Sequence, residues 1–236
     1  MLKQLKQKVL QANKDLVKYN LVSLTWGNVS GIDRKKNLVV IKPSGVDYNK
    51  LKIENMVVVD LDGKIVEGKL NPSSDTQTHL ELYKNFDNIG GITHSHSTYA
   101  TIFAQACIEI PCYGTTHADH FYGSIPVTRL LTEKEVEENY ELNTGKIIVE
   151  RFKDLDSDAT PGVLLAGHAV FTWGKTSEDS IKNNLILERV AQMAYSSKQL
   201  NPDLKALPDY IINKHYMRKH GPGSYYGQTK LGKKND

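Results

Sequence analysis

Residues Asn71–Ala106, NPSSDTQTHLELYKNFDNIGGITHSHSTYATIFAQA, pass from helix to strand to helix within one short span. Asn71-Pro72-Ser73-Ser74 breaks whatever precedes it, and Ser74-Asp75-Thr76-Gln77 has the spacing of a capping box. That spacing predicts a helix running to about Asn85. A short strand follows around Ile92–His96, and then a helix over about Thr98–Ala106.

The same alternation extends in both directions. Leu2, Leu5, Val9, Ala12 and Leu16 recur at helical intervals and place an apolar stripe on the first helix. Leu38–Ile41 and Met56–Val59 are β-branched strand runs, with turn signals at Pro43-Ser44-Gly45 and Asp62-Gly63. Thr132-Glu133-Lys134-Glu135 is a second capping-box match, opening a charged helix, while Ile147-Ile148-Val149 suits helix or strand. Val163–Trp173 reads as one apolar strand with a bulge at Gly167. Helices are predicted over about Glu178–Gln199 and Asp209–Lys219. Interleaved strands and helices give an α/β class in one domain, with no internal repeat or linker.

The composition narrows the function. Of 236 residues, 39% are hydrophobic and 24% charged, with 17 glycines, an ordinary globular balance. The net charge of +3 is too even to mark a nucleic-acid or membrane protein. Basic residues gather in the last segment, Leu207–Asp236, which reads as a solvated tail preceded by a stretch suited to an anion. No apolar run is long enough to span a membrane, and the amino terminus lacks a signal-peptide core. Cys107 and Cys112 fit buried thiols in a reducing cytoplasm, so a cytoplasmic location is expected.

Thr93-His94-Ser95-His96 carries the chemistry. Residues two apart on a strand face the same side, with Cα atoms about 6–7 Å apart, a gap that one metal ion can bridge. His168, within the apolar run, is costly to bury unpaired. Asp75, at a helix start, is either a cap or a fourth ligand. Three histidines and a carboxylate without sulfur suit Zn²⁺, or Mn²⁺ and similar ions, in a catalytic rather than structural site.

Three turns suit a phosphate monoester: Gly27-Asn28, Ser44-Gly45 and Ser73-Ser74 offer hydroxyls and exposed N–H groups, and Lys42 adds a cation. No nucleotide-binding glycine motif is present, so a small phosphorylated metabolite is the better ligand.

Taken together, several segments resemble the L-ribulose-5-phosphate 4-epimerases of the class II aldolase superfamily. They are Leu24–Ser30, Ile41–Tyr48, Pro72–Thr76, Gly90–His96, Gly114–Asp119, Lys214–Gly221 and Tyr225–Gln228, in order along the chain. The match spans residues 1–228, and Thr229–Asp236 lies beyond it, expected as a disordered extension or a peculiarity of this chain. The resemblance implies an α/β/α domain with a central, largely antiparallel sheet. It also implies a homotetramer with active sites at subunit interfaces. Carried over residue by residue, the metal ligands are Asp75, His94, His96 and His168, and Asn28, Lys42, Ser44, Gly45, Ser73 and Ser74 hold the phosphate. Asp119 and Tyr226 become the acid–base pair, supplied by a neighbouring subunit, with His215 and Arg218 nearby on the substrate. One departure is His120, where the family carries an aromatic after the Ala-Asp motif.

The reaction implied is inversion at C4 between L-ribulose 5-phosphate and D-xylulose 5-phosphate, by breaking and re-forming the C3–C4 bond. Arabinose and ascorbate routes both use such epimerases. The main competitor is a sugar-phosphate aldolase, whose relatives usually carry glutamate in place of Asp75. A non-catalytic scaffold runs against the intact histidines, and nucleic-acid binding lacks an aromatic platform.

Overall fold

Both faces of the central sheet are covered by helices, which is why several of its strands read as continuous apolar runs. The computed structural model describes residues 2–225; Tyr226 and the 229–236 segment lie outside the described residues. In chain order the elements begin with α1 (Lys3–Lys18), β1 (Asn28–Asp33), β2 (Leu38–Ile41), β3 (Val57–Asp60) and β4 (Ile65–Glu67). There follow α2 (Thr76–Asn85), β5 (Gly91–Ser95), α3 (Thr98–Gln105), α4 (Thr115–Ala118) and α5 (Glu133–Arg151). The chain continues through β6 (Gly162–Leu164), β7 (Val170–Gly174), α6 (Ser177–Leu200) and α7 (Asp209–His220).

The sheet has seven strands in the order β4-β3-β2-β1-β5-β7-β6, and every neighbouring pair is antiparallel. Alternate residues divide the core. Val39, Ile41, Val57, Val59, Ile92, Phe171 and Trp173 pack with α2 and α5. Val29, Val40 and Val58 meet α1, while Leu164 and Val170 join side chains of α3 and α6. The expected α/β/α layering and largely antiparallel sheet are therefore present. Gly91 lets α6 approach β5, since a Cβ there would stand 2.3 Å from the Ser177 backbone nitrogen.

Three local expectations are corrected. Val163–Trp173 is not one bulged strand but the hairpin β6–β7. Leu165 N–H donates to the Ala169 carbonyl and Gly167 takes a φ of +72°, so the chain reverses there. His168 consequently sits on a turn, not inside a strand. The Ser74 capping box does not form: Asp75 is the N-cap of α2, and its side chain makes no cap bond. At Thr132, by contrast, both halves of the capping box are made. Ile147–Val149 is helical, within α5, which breaks at Asn139 (φ −167°, ψ 93°). Asn139 Oδ1 accepts the Leu142 N–H at 3.1 Å and so caps the second half of that helix.

Candidate active site

The strand order places β1 beside β5 and β5 beside β7, so Asn28, His94 and the turn bearing His168 converge at one end of the sheet. Ring centroids are 5.0 Å apart for His94–His96, 5.2 Å for His94–His168 and 4.9 Å for His96–His168. One nitrogen from each ring falls within 4.8 Å of the others. His94 Nδ1 lies 3.0 Å from the Val170 carbonyl, to which it donates, leaving Nε2 for the cavity. His168 Nδ1 pairs with the Tyr140 hydroxyl at 3.2 Å. Burial lowers the pKa of all three imidazoles, His168 to about 4, and each ring disfavours charge on a neighbour. Neutral, pre-oriented imidazoles in a set without sulfur fit a borderline divalent ion.

Asp75 explains its missing cap bond here. Its Oδ2 accepts the Asn28 amide at 2.6 Å, turning the carboxylate to the cavity instead of to its own helix. Burial opposes its ionisation, but the imidazoles of His94 and His79 and the Asn28 amide outweigh that and hold its pKa below the usual value. It lines the same cavity as the three histidines while standing outside their close group.

The phosphate-type turns join from the other side. Ser44 N–H donates to Asn71 O and Ser73 N–H donates to Lys42 O, pinning the two loops together. Asn28 Nδ2 also reaches Ser73 Oγ at 3.0 Å, so one amide ties the serine loop to Asp75. Lys42 is buried, with Nζ 4.9 Å from the centre of the Tyr48 ring. Burial pushes its pKa down while Asp47 and Asp75 pull it back up. Gly45 has a φ of +67° and open space beside it. Together these residues line a cavity of about 640 Å³.

Thus Asn28, Lys42, Ser44, Gly45, Ser73, Ser74, Asp75, His94, His96 and His168 all share one cavity. Trp26, Tyr140 and Glu141 also line it, and sequence reasoning missed them. Trp26 stands 5.9 Å from the His96 ring. Tyr140 and Glu141 reach the cavity because α5 breaks immediately before them; the only signal was an Asn in a charged helix.

Asp119, His215 and Arg218 come together elsewhere. Asp119 Oδ1 accepts from Arg218 Nε at 3.0 Å and lies 3.1 Å from His215 Nδ1, while Oδ2 accepts from Arg218 Nη2 at 2.7 Å. Lys219 Nζ adds a fourth contact at 3.3 Å. Burial works against the charge, but these donors win and hold the Asp119 carboxyl at about 2. None of these residues lines the histidine cavity of the same chain. His120, beside Asp119, is pushed down to about 4 by burial and the nearby Lys219 and Lys182.

Two buried histidines outside these sets make a pH prediction. Burial lowers His79 to about 3 and His117 to about 4, whereas an unfolded histidine titrates near about 6.5. Below that value the unfolded chain binds more protons, so stability is full above it and falls with pH. Metal-free protein is expected to melt at steadily lower temperature between about pH 7 and pH 5. A melting temperature constant over that interval contradicts the assignment.

Comparison with known proteins agrees with this geometry. Residues 7–195 match the family described as Class II Aldolase and Adducin N-terminal domain. L-ribulose-5-phosphate 4-epimerase UlaF of Salmonella paratyphi A (strain ATCC 9150 / SARB42) is 54% identical over 227 residues, 96% of this chain and 100% of that protein. The protein of the same name from Salmonella typhi matches equally, at 54% over the same shares. A solved L-fuculose 1-phosphate aldolase is 29% identical with a TM-score of 0.78, covering 91% of this chain and 95% of its own. The l-fuculose-1-phosphate aldolase of Thermus thermophilus, 23% identical over 86% of this chain and 98% of that one, shares the fold with a TM-score of 0.66. Matched along almost its whole length, the chain belongs to the class II aldolase family, among the L-ribulose-5-phosphate 4-epimerases.

Proposed function

We propose that this protein interconverts L-ribulose 5-phosphate and D-xylulose 5-phosphate, with Asp75, His94, His96 and His168 as the residues that would hold Zn²⁺. The observation that carries the reading is the convergence, in one cavity, of a three-histidine group with serine, glycine and lysine turns suited to a phosphate. A divalent ion held there would supply Lewis acidity that stabilises negative charge developing on the substrate.

The remaining work falls to the chain's own side chains. The C4 proton is not next to the carbonyl, so removing it directly is difficult; cleaving C3–C4 and re-forming it on the other aldehyde face inverts C4 instead. Asn28, Lys42, Ser44, Gly45, Ser73 and Ser74 anchor the C5 phosphate, so the aldehyde fragment turns without escaping. A base takes the C4 hydroxyl proton, and an acid returns one on the opposite face. Asp119 and Tyr226 are assigned those roles, with His215 and Arg218 orienting Asp119 and meeting the substrate. Because Asp119 lies away from its own chain's cavity, the reading includes a homotetramer in which a neighbouring copy brings it to the site. A cytoplasmic location goes with this reading.

The aldolase alternative shares everything up to bond cleavage. Asp75, where aldolase relatives usually carry glutamate, and the Gly114–Asp119 segment favour the epimerase. The test is incubation with L-ribulose 5-phosphate in a coupled assay for D-xylulose 5-phosphate. Product formation that stops on chelation and returns with Zn²⁺ is expected. Accumulating glycolaldehyde phosphate assigns an aldolase, and no reaction in metal-loaded protein removes this substrate.

A further inference from the structure

Behind the cavity lies a buried hydrogen-bonded chain with no part in the proton transfers above. His79 and Tyr83 stand one turn apart on α2, and Ser30 reaches both from β1. Its Oγ lies 2.7 Å from His79 Nδ1 and 2.9 Å from Tyr83 Oη. All three side chains are fully buried. Each hydroxyl has one proton to give, and only one direction uses both: Tyr83 donates to Ser30, and Ser30 donates to His79 Nδ1. The reverse direction leaves the Tyr83 proton without an acceptor among these groups. A neutral ring that accepts at Nδ1 carries its proton on Nε2, and His79 Nε2 is buried without a partner among the described residues.

An acceptor in the same condition stands one rung along. Asn28 and Ser30 are two apart on β1, and Asp75 and His79 are four apart at the start of α2, so each pair shares a face. Asn28 bonds Asp75 at 2.6 Å and Ser30 meets His79 at 2.7 Å, lacing strand to helix with two rungs. Asn28 Nδ2 serves both Asp75 and Ser73, while Asn28 Oδ1 is buried and likewise without a partner among the described residues. An orphaned buried donor and an orphaned buried acceptor are each costly, and they are complementary. Phe171 steadies the ring from the side, edge-on to His79 at 5.9 Å and stacked on His94 at 4.3 Å.

We propose that His79 is a positioning residue for the Asn28–Asp75 pair, its Nε2–H turned to that pair's acceptor oxygens and its tautomer set by Ser30 and Tyr83. Held this way, the Asn28 carboxamide keeps its NH₂ toward Asp75 and Ser73, joining the metal side of the cavity to the phosphate side. A flipped amide would set its oxygen against the Asp75 carboxylate.

The inference rests on reading the cavity as a zinc and sugar-phosphate site, so two of its tests do not use activity. Nitrogen–proton correlation spectra of the zinc-loaded full chain report the His79 tautomer. A proton on Nε2 is expected; a proton on Nδ1 overturns the proposal, and this measurement needs no variant. Ser30→Ala and Tyr83→Phe, with melting temperatures as a control, are expected to weaken zinc binding about 10- to 100-fold against a chromophoric chelator. Both should raise KM for L-ribulose 5-phosphate more than they lower kcat. Folded variants with zinc affinity and KM within about twofold of the parent overturn the proposal. Weakened zinc binding in the variants of a parent inert toward L-ribulose 5-phosphate supports the positioning role and removes the epimerase reading alone.

Discussion

Asp119→Asn is expected to slow the conversion of L-ribulose 5-phosphate by about 10²–10⁴-fold, with zinc content and subunit assembly at the parental level. The substitution keeps the shape of the side chain and one acceptor oxygen for Arg218, and removes the charge. With its carboxyl held at about 2, Asp119 is ionised across the working range, as a proton-accepting part in the proposed acid–base pair requires. The donors that hold it also make its conjugate acid a ready donor when the proton returns. Turnover, metal analysis and gel filtration on the same preparation check this. Near-normal turnover removes the assigned role. Dissociated subunits instead would make Asp119 a tie between α4 and α7, through Arg218 and His215.

His96→Ala is expected to lose bound zinc and at least about 10³ in turnover, since a Lewis acid contributes several kcal/mol and each 1.36 kcal/mol is tenfold. Two imidazoles remain, yet the close group of three within 4.8 Å is broken. The pair of variants also tests whether the site spans two copies. Neither is active alone, but subunits mixed and reassembled pair an intact zinc side with an intact Asp119 in about a quarter of the interfaces. Recovery of about that fraction of parental turnover is expected. No recovery, from mixed assemblies shown to have formed, contradicts the placement of Asp119 in a neighbour's site.

How far the molecule was legible depended on whether one segment's residues answered to one demand. Leu38–Ile41 and Val57–Val59 are buried on both faces, so their apolar runs signal strands without ambiguity. Strand periodicity, together with His168 and Asp75, pairs His94 with His96, and the two do meet although β5 ends at Ser95, one residue short of His96. Asn28–Asp33 is a strand with polar Asn28 and Ser30 facing the cavity and α2, so site chemistry displaced the apolar pattern. Val163–Trp173 misled for the opposite reason: Ala166 and Ala169 in the turn are buried, so apolarity runs unbroken across a chain reversal. Asp75 answered two signals, and the cavity won over the helix cap. Tyr140 and Glu141 depend on a helix break at Asn139, which periodicity does not report. The Asp119 cluster joins residues 96 and 99 positions apart, a proximity that only the resemblance suggested.

The most direct test is to run the reaction with L-ribulose 5-phosphate in D₂O and follow carbon and proton spectra of the product. Cleavage and re-formation of C3–C4 never removes the hydrogen on C4, which stays on the aldehyde carbon throughout. The account predicts D-xylulose 5-phosphate with its C4 proton retained and no accumulating glycolaldehyde phosphate. Deuterium at C4, or free cleavage products in place of the epimer, would contradict it.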